Sequence, residues 1–103
     1  MKEFYYTYSR KHKLSVVGYV NKKENNFQIG ISKCSDKDEY NKKFGREIAK
    51  GRSIKNPFSI FSLDNKEQPE LLQILFDTRD TIIGKSDKYI ETWKKYKLLS
   101  KII

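Results

Sequence analysis

The chain has 103 residues, 37% of them hydrophobic, 34% charged and 14% aromatic, with a formal net charge of +9. That length fits one domain around one core, and the ring content excludes a disordered chain, which would be poor in aromatics. One cysteine and one histidine exclude an internal disulfide and a zinc centre built from several nitrogen and sulfur ligands of a single chain.

Residues 4–9 (Phe-Tyr-Tyr-Thr-Tyr-Ser) are strand formers, followed by a polar break at 10–13 and a second strand candidate at 14–20. After a polar loop, residues 27–33 alternate, with Phe27, Ile29 and Ile31 on the face expected to meet the core. Three short strands with brief connections predict an antiparallel meander. Tyr6, Tyr8 and Tyr19 on these strands are candidate rings for stacking on bases, although tyrosine is also an ordinary half-buried strand residue.

The spacing next predicts a helix over about 36–50, with Ser35 as N-cap, Asp36, Asp38 and Glu39 at the positive end of its dipole and Gly51 just past its end. At about 100° per residue, Lys42, Lys43, Arg46 and Lys50 share one arc, while Tyr40, Phe44 and Ile48 share an adjoining one expected to dock on the core. These four cations and Arg52 are the candidate binding residues. The guanidinium groups of Arg46 and Arg52 suit a two-point grip on phosphate, and the lysines supply point charge.

Pro57 breaks the chain, and 58–63 is either a fourth, edge-type strand or an irregular apolar plug. Pro69 and Gly84 bracket a core helix in which Leu71, Leu72, Leu75, Phe76, Ile82 and Ile83 recur at helical spacing. Ser86 is expected to cap a last helix from Asp87 to about Ser100, with Trp93 packing in the core. The fold class is therefore α+β: three to four antiparallel strands from the N-terminal part, with about three helices packed mainly on one face.

Charge is uneven along this plan. Residues 1–33 carry seven Lys/Arg against two acids, 34–55 seven against four, 56–84 two against five and 85–103 six against two. The acidic stretch is expected to lie away from the binding face, and the rest to attract a polyanion. His12 reads as a turn residue. Asp36 and Asp38 serve the helix dipole rather than a metal, so no cofactor is expected. With no apolar run near 18 residues and no apolar segment after the charged start, neither a membrane partner nor a signal peptide is expected, and the location is cytoplasmic.

Val17-Gly18-Tyr19 and Gln28-Ile29-Gly30 resemble the two strand motifs of the GIY-YIG nucleases. The second lacks its tyrosine, and no arginine stands early in the helix that follows. A degenerate nuclease of that kind is the single enzyme alternative. Residues 29–34 (Ile-Gly-Ile-Ser-Lys-Cys) leading into 44–52 (Phe-Gly-Arg-Glu-Ile-Ala-Lys-Gly-Arg) resemble a pattern in small proteins of bacteriophages and other mobile elements. That resemblance implies a non-enzymatic, anti-CRISPR-like counter-defence protein acting in the host cytoplasm. Its basic helix would engage nucleic acid or a nucleic-acid-binding defence complex. The alternatives are a sponge for a phosphate-bearing signal nucleotide and a plain DNA- or RNA-binding regulator.

Overall fold

The computed structural model describes residues 2–35, 37–84 and 97–100, the last four by their backbone. Strands β1 (Phe4–Ser9), β2 (Leu14–Asn21), β3 (Asn26–Lys33) and β4 (Ser59–Ser62) pair antiparallel in chain order, and β5 (Lys97–Ser100) adds to β4. The meander expected from alternation is present, and within 58–63 residues Ser59–Ser62 form a strand rather than a plug; it is not the edge strand expected, because β5 pairs with its far side. Its pairing aligns Phe27 with Phe61, two rings buried on one face of the sheet.

The described residues form two helices, α1 (Lys42–Lys55) and α2 (Gln68–Ile82), rather than about three. Of the helix expected over 87–100, residues 97–100 are strand; the remainder, Trp93 included, lies outside the described residues. Nor do the helices share a face. The register sets Leu14, Val16, Val20, Phe27, Ile29 and Phe61 on one side, where they form the core with Leu71, Ile74 and Leu75 of α2. Alternation then directs Ser15, Val17, Gln28, Gly30 and Ser32 to the other side, beneath α1.

Helix α2 starts where expected. Pro69 lies in its first turn, the Glu67 N–H donates to the Glu70 carboxylate at 2.9 Å, and Gly84 takes a left-handed φ of +71° beyond its end. Ile74, missed by the spacing argument, is buried. Phe76, assigned to the core, is 37% exposed with the Arg79 guanidinium 5.3 Å from its ring centroid. Arg79 also donates to Thr7 Oγ1 at 2.8 Å and pairs with Asp80 at 3.1 Å, tying α2 to β1. Helix α2, with Glu70, Asp77 and Asp80, thus lies across the sheet from α1.

Candidate binding ridge on helix α1 and strand β1

Helix α1 begins later than its sequence signals indicate. Ser35 closes a turn instead of capping a helix: its hydroxyl donates to Asp38 Oδ2 at 2.9 Å, and the Asp38 N–H reaches the Ser35 carbonyl at 3.1 Å. Lys13 Nζ binds the Ser35 and Asp38 carbonyls, and Tyr40 Oη lies 2.7 Å from Ser15 Oγ. These ties hold 37–40 against the sheet in a non-helical path. The cap falls to Asn41, whose side-chain oxygen accepts from the Phe44 N–H at 3.0 Å, and the helix runs on through Gly51 to Lys55.

The buried stripe of α1 is Gly45, Ala49 and Ser53, four residues apart. Small residues there let the helix lie almost on the sheet backbone. A Cβ on Gly30 would stand 2.0 Å from the Ala49 carbonyl oxygen and 2.4 Å from the Ser53 nitrogen; one on Gly45 would stand 2.7 Å from Ser15 Oγ. Gln28, buried in this layer, donates from Nε2 to the Ser53 carbonyl at 2.8 Å. The apolar arc expected to dock is therefore not the docking face. Phe44 is 63% exposed, Ile48 is partly buried, and Tyr40 precedes the helix. Phe44→Ala is accordingly expected to change stability by no more than about 0.5 kcal/mol in a denaturant titration, as for an ordinary surface site.

Close seating brings the cations onto the rings of β1. Lys42 Nζ lies 4.1 Å from the Tyr8 ring centroid, Arg46 Cζ 5.2 Å from Tyr6 and Lys50 Nζ 4.6 Å from Phe4. The match is geometric: four residues of helix rise about 6 Å and two residues of strand about 6.6 Å, so positions 42, 46 and 50 keep step with 8, 6 and 4. Each contact contributes about 0.5–1 kcal/mol and holds a flexible cation in place. Tyr19 stacks on Phe4 at 5.1 Å and is half-buried, whereas Tyr6 and Tyr8 are 42% and 40% exposed. A hollow of about 130 Å³ lies among Tyr6, Thr7, Tyr8, Ser15, Lys42 and Arg46.

The structure therefore brings Lys42, Arg46 and Lys50 together with Tyr6 and Tyr8, and adds Phe4, which sequence reasoning passed over. Its signal was present in the shared parity of 4, 6 and 8. Lys43 is exposed, turned about 100° from Lys42 around the helix. Arg52 does not join Arg46. Six positions apart, the two point about 120° from each other, and Arg52 Nη1 donates to the Ile31 carbonyl at 2.9 Å.

Strand β1 is the edge of the sheet, with no second neighbour among the described strands. The Val20 N–H bonds the Glu3 carbonyl at 2.8 Å, which makes alternate residues 3, 5, 7 and 9 the ones bonded to β2 and leaves the backbone of Phe4, Tyr6 and Tyr8 directed to the open edge. Cations and rings together form a ridge along that edge.

Other chemistry is sparse. Ser9 Oγ lies 2.9 Å from His12 Nδ1, and no group of three metal-ligating side chains occurs among the described residues. Asp36 lies outside the described residues. Gly18 and Gly30, from the motifs resembling nuclease strands, are packing positions: a Cβ on Gly18 would stand 2.2 Å from the Phe27 ring. No described helix is long and apolar enough to cross a membrane. Comparison with protein-family models, with curated proteins and with solved structures gave no match.

Proposed function

We propose that this chain is a non-enzymatic binding protein that lays its α1/β1 ridge along a nucleic acid, most readily a single strand, in the service of counter-defence. The observation that carries the reading is the register of Lys42, Arg46 and Lys50 over Tyr8, Tyr6 and Phe4. A row of cations beside half-exposed rings pairs phosphate attraction with ring faces for bases, the combination used by proteins that bind single strands without sequence preference. Duplex offers its phosphates but not its base faces, so it engages only half of this surface. The counter-defence role rests on the resemblance of residues 29–34 and 44–52 to proteins of mobile elements. Under it, the strand bound is one exposed by, or held within, a host nucleoprotein complex.

The sponge reading has less support. Pockets that enclose small ligands run to about 300–1,000 Å³, whereas the ridge hollow is about 130 Å³, room for a phosphate or part of a sugar and not a whole nucleotide. Of the two guanidinium groups suited to gripping phosphate, Arg46 alone lines that hollow, while Arg52 is turned to the Ile31 carbonyl.

Fluorescence anisotropy with labelled single-stranded and duplex oligonucleotides, and with cyclic nucleotides as competitors, tests the proposal. Single strands are expected to bind more tightly than duplex, with log K falling against log salt at a slope near 2, since three phosphates each release about 0.7 counterion. Replacing Tyr6 and Tyr8 together by leucine is expected to weaken single-strand binding by about tenfold or more while leaving the salt slope in place. Equal affinity for both forms, unaffected by the tyrosine changes, would reduce the ridge to diffuse charge. Tight binding of a cyclic nucleotide would move the assignment to the sponge.

A further inference from the structure

Strand β1 is an edge among the described strands, and nothing in its sequence guards that edge. Phe4–Ser9 holds neither a proline nor a charged residue, the usual devices that keep an edge strand from pairing with another chain. The outward-directed N–H and C=O groups belong to Phe4, Tyr6 and Tyr8, a set symmetric about Tyr6. A second β1 can therefore run antiparallel alongside, with Tyr6 opposite Tyr6 and Phe4 opposite Tyr8, each opposed pair exchanging its hydrogen bonds. That register also sets ring against ring on the α1 side of the sheet.

The other side of the sheet carries a matching surface. Helix α2 packs beneath β1 and β2. Its Leu72, Phe76 and Arg79, with Ile83 just beyond, fall within an arc of about 60°, to one side of the buried Leu71, Leu75 and Thr78. That arc is turned toward the β1 edge: Arg79 reaches Thr7 Oγ1 at 2.8 Å, and Arg79 and Ile83 border one hollow with Tyr8 and Ser9. Among the described residues five large hydrophobic side chains are exposed, and three of them, Tyr6, Tyr8 and Phe76, lie along this edge. Neighbouring strands lie about 4.8 Å apart, so the two α2 helices of a β1-paired dimer would run about 10 Å apart, the distance at which helices pack. An extended peptide added to β1 would leave this flank of α2 bare, which favours a second copy as the occupant.

We infer that two copies of this chain join through β1 about a two-fold axis at Tyr6, one sheet running through both, with the Leu72–Phe76 flank of each α2 against its counterpart. The ridge cations stay on the open α1 side, so the inference does not rest on what they bind. Each copy carries a net charge of +9, so salt should strengthen the pairing. Sedimentation without nucleic acid, up to about 100 µM protein, is expected to show a species of twice the 12.3 kDa chain mass. It should form more readily at about 0.5 M than at about 0.05 M NaCl, the reverse of the salt effect on polyanion binding. Phe76→Lys is expected to weaken dimerisation at least tenfold, and Phe44→Lys, on α1, to leave it unchanged. A cross-link supplies a readout independent of these variants. Tyr6→Cys in a Cys34→Ser background is expected to give a disulfide-linked dimer on mild oxidation, because opposed Cα atoms lie about 5.5 Å apart, within the about 4.4–6.8 Å a disulfide spans. Phe4→Cys in that background is not, since its counterpart lies about 13 Å further along the pair. A monomer at every concentration and salt would overturn the inference and leave the edge to a peptide or to solvent. So would Phe4→Cys cross-linking as readily as Tyr6→Cys, which means another register, or Phe44→Lys dissociating the dimer as strongly as Phe76→Lys, which means another face.

Discussion

Gly30→Ala is expected to destabilise the protein by about 3 kcal/mol, the upper part of the range for overpacking a filled interior, and to lower Tm by roughly 15 °C. The added methyl group would collide with backbone, the Ala49 carbonyl oxygen and the Ser53 nitrogen, and no rotamer change relieves a clash with backbone. The whole of α1 would have to lift from the sheet, lengthening the Gln28 bond to the Ser53 carbonyl and drawing Lys42, Arg46 and Lys50 away from their rings. Gly45→Ala should cost less, because its first obstacle is the Ser15 hydroxyl and the helix gains about 1 kcal/mol from replacing glycine. A urea titration of the two variants beside Gly51→Ala, a position inside α1 where a Cβ would meet nothing within 4 Å among the described residues, should therefore rank them in one order, with Gly51→Ala above the parent and Gly30→Ala lowest. Wild-type stability for Gly30→Ala would mean that α1 is not seated as described.

Reversing Lys42, Arg46 and Lys50 to glutamate together is expected to weaken single-strand binding by about 100-fold and to cut the salt slope by about 2, as three phosphate contacts are replaced by repulsion. Because these side chains also rest on rings, the variant should lose about 1.5–3 kcal/mol of stability, more than free surface lysines would cost. Binding and stability can be separated by measuring anisotropy well below the transition temperature. Lys22→Glu with Lys23→Glu, in the exposed turn between β2 and β3, controls for general charge. If that pair reduces affinity as strongly per charge as the triple variant, the ridge has no special standing.

What residue pattern alone determined was local. Strand β1 was legible to the residue, because Phe4 to Ser9 are strand formers bounded by a polar break. Strand β3 announced its core face through Phe27 and Ile29, and α2 its limits through Pro69 and Gly84, since alternation, proline and glycine act over a few residues whatever surrounds them. The basic arc of α1 was legible for the same reason: it is a property of helix periodicity.

Tertiary structure decided the rest. Ser35 and the acids after it carry the signals of a helix start, but Lys13 and Ser15, more than twenty residues earlier, supply partners that hold 37–40 out of helix. Which face of α1 is buried could not be read from hydrophobicity. Gly30 in β3 removes the side chain beneath the helix, and close contact there favours glycine, alanine and serine over Phe44. Likewise, the exposed-looking cations and the stackable tyrosines were both visible as lists of residues, but that they meet one to one depends on α1 lying antiparallel to β1 at a matching rise. That alignment is set by the sheet register and the small-residue seat, interactions between segments distant in the chain that no local periodicity encodes.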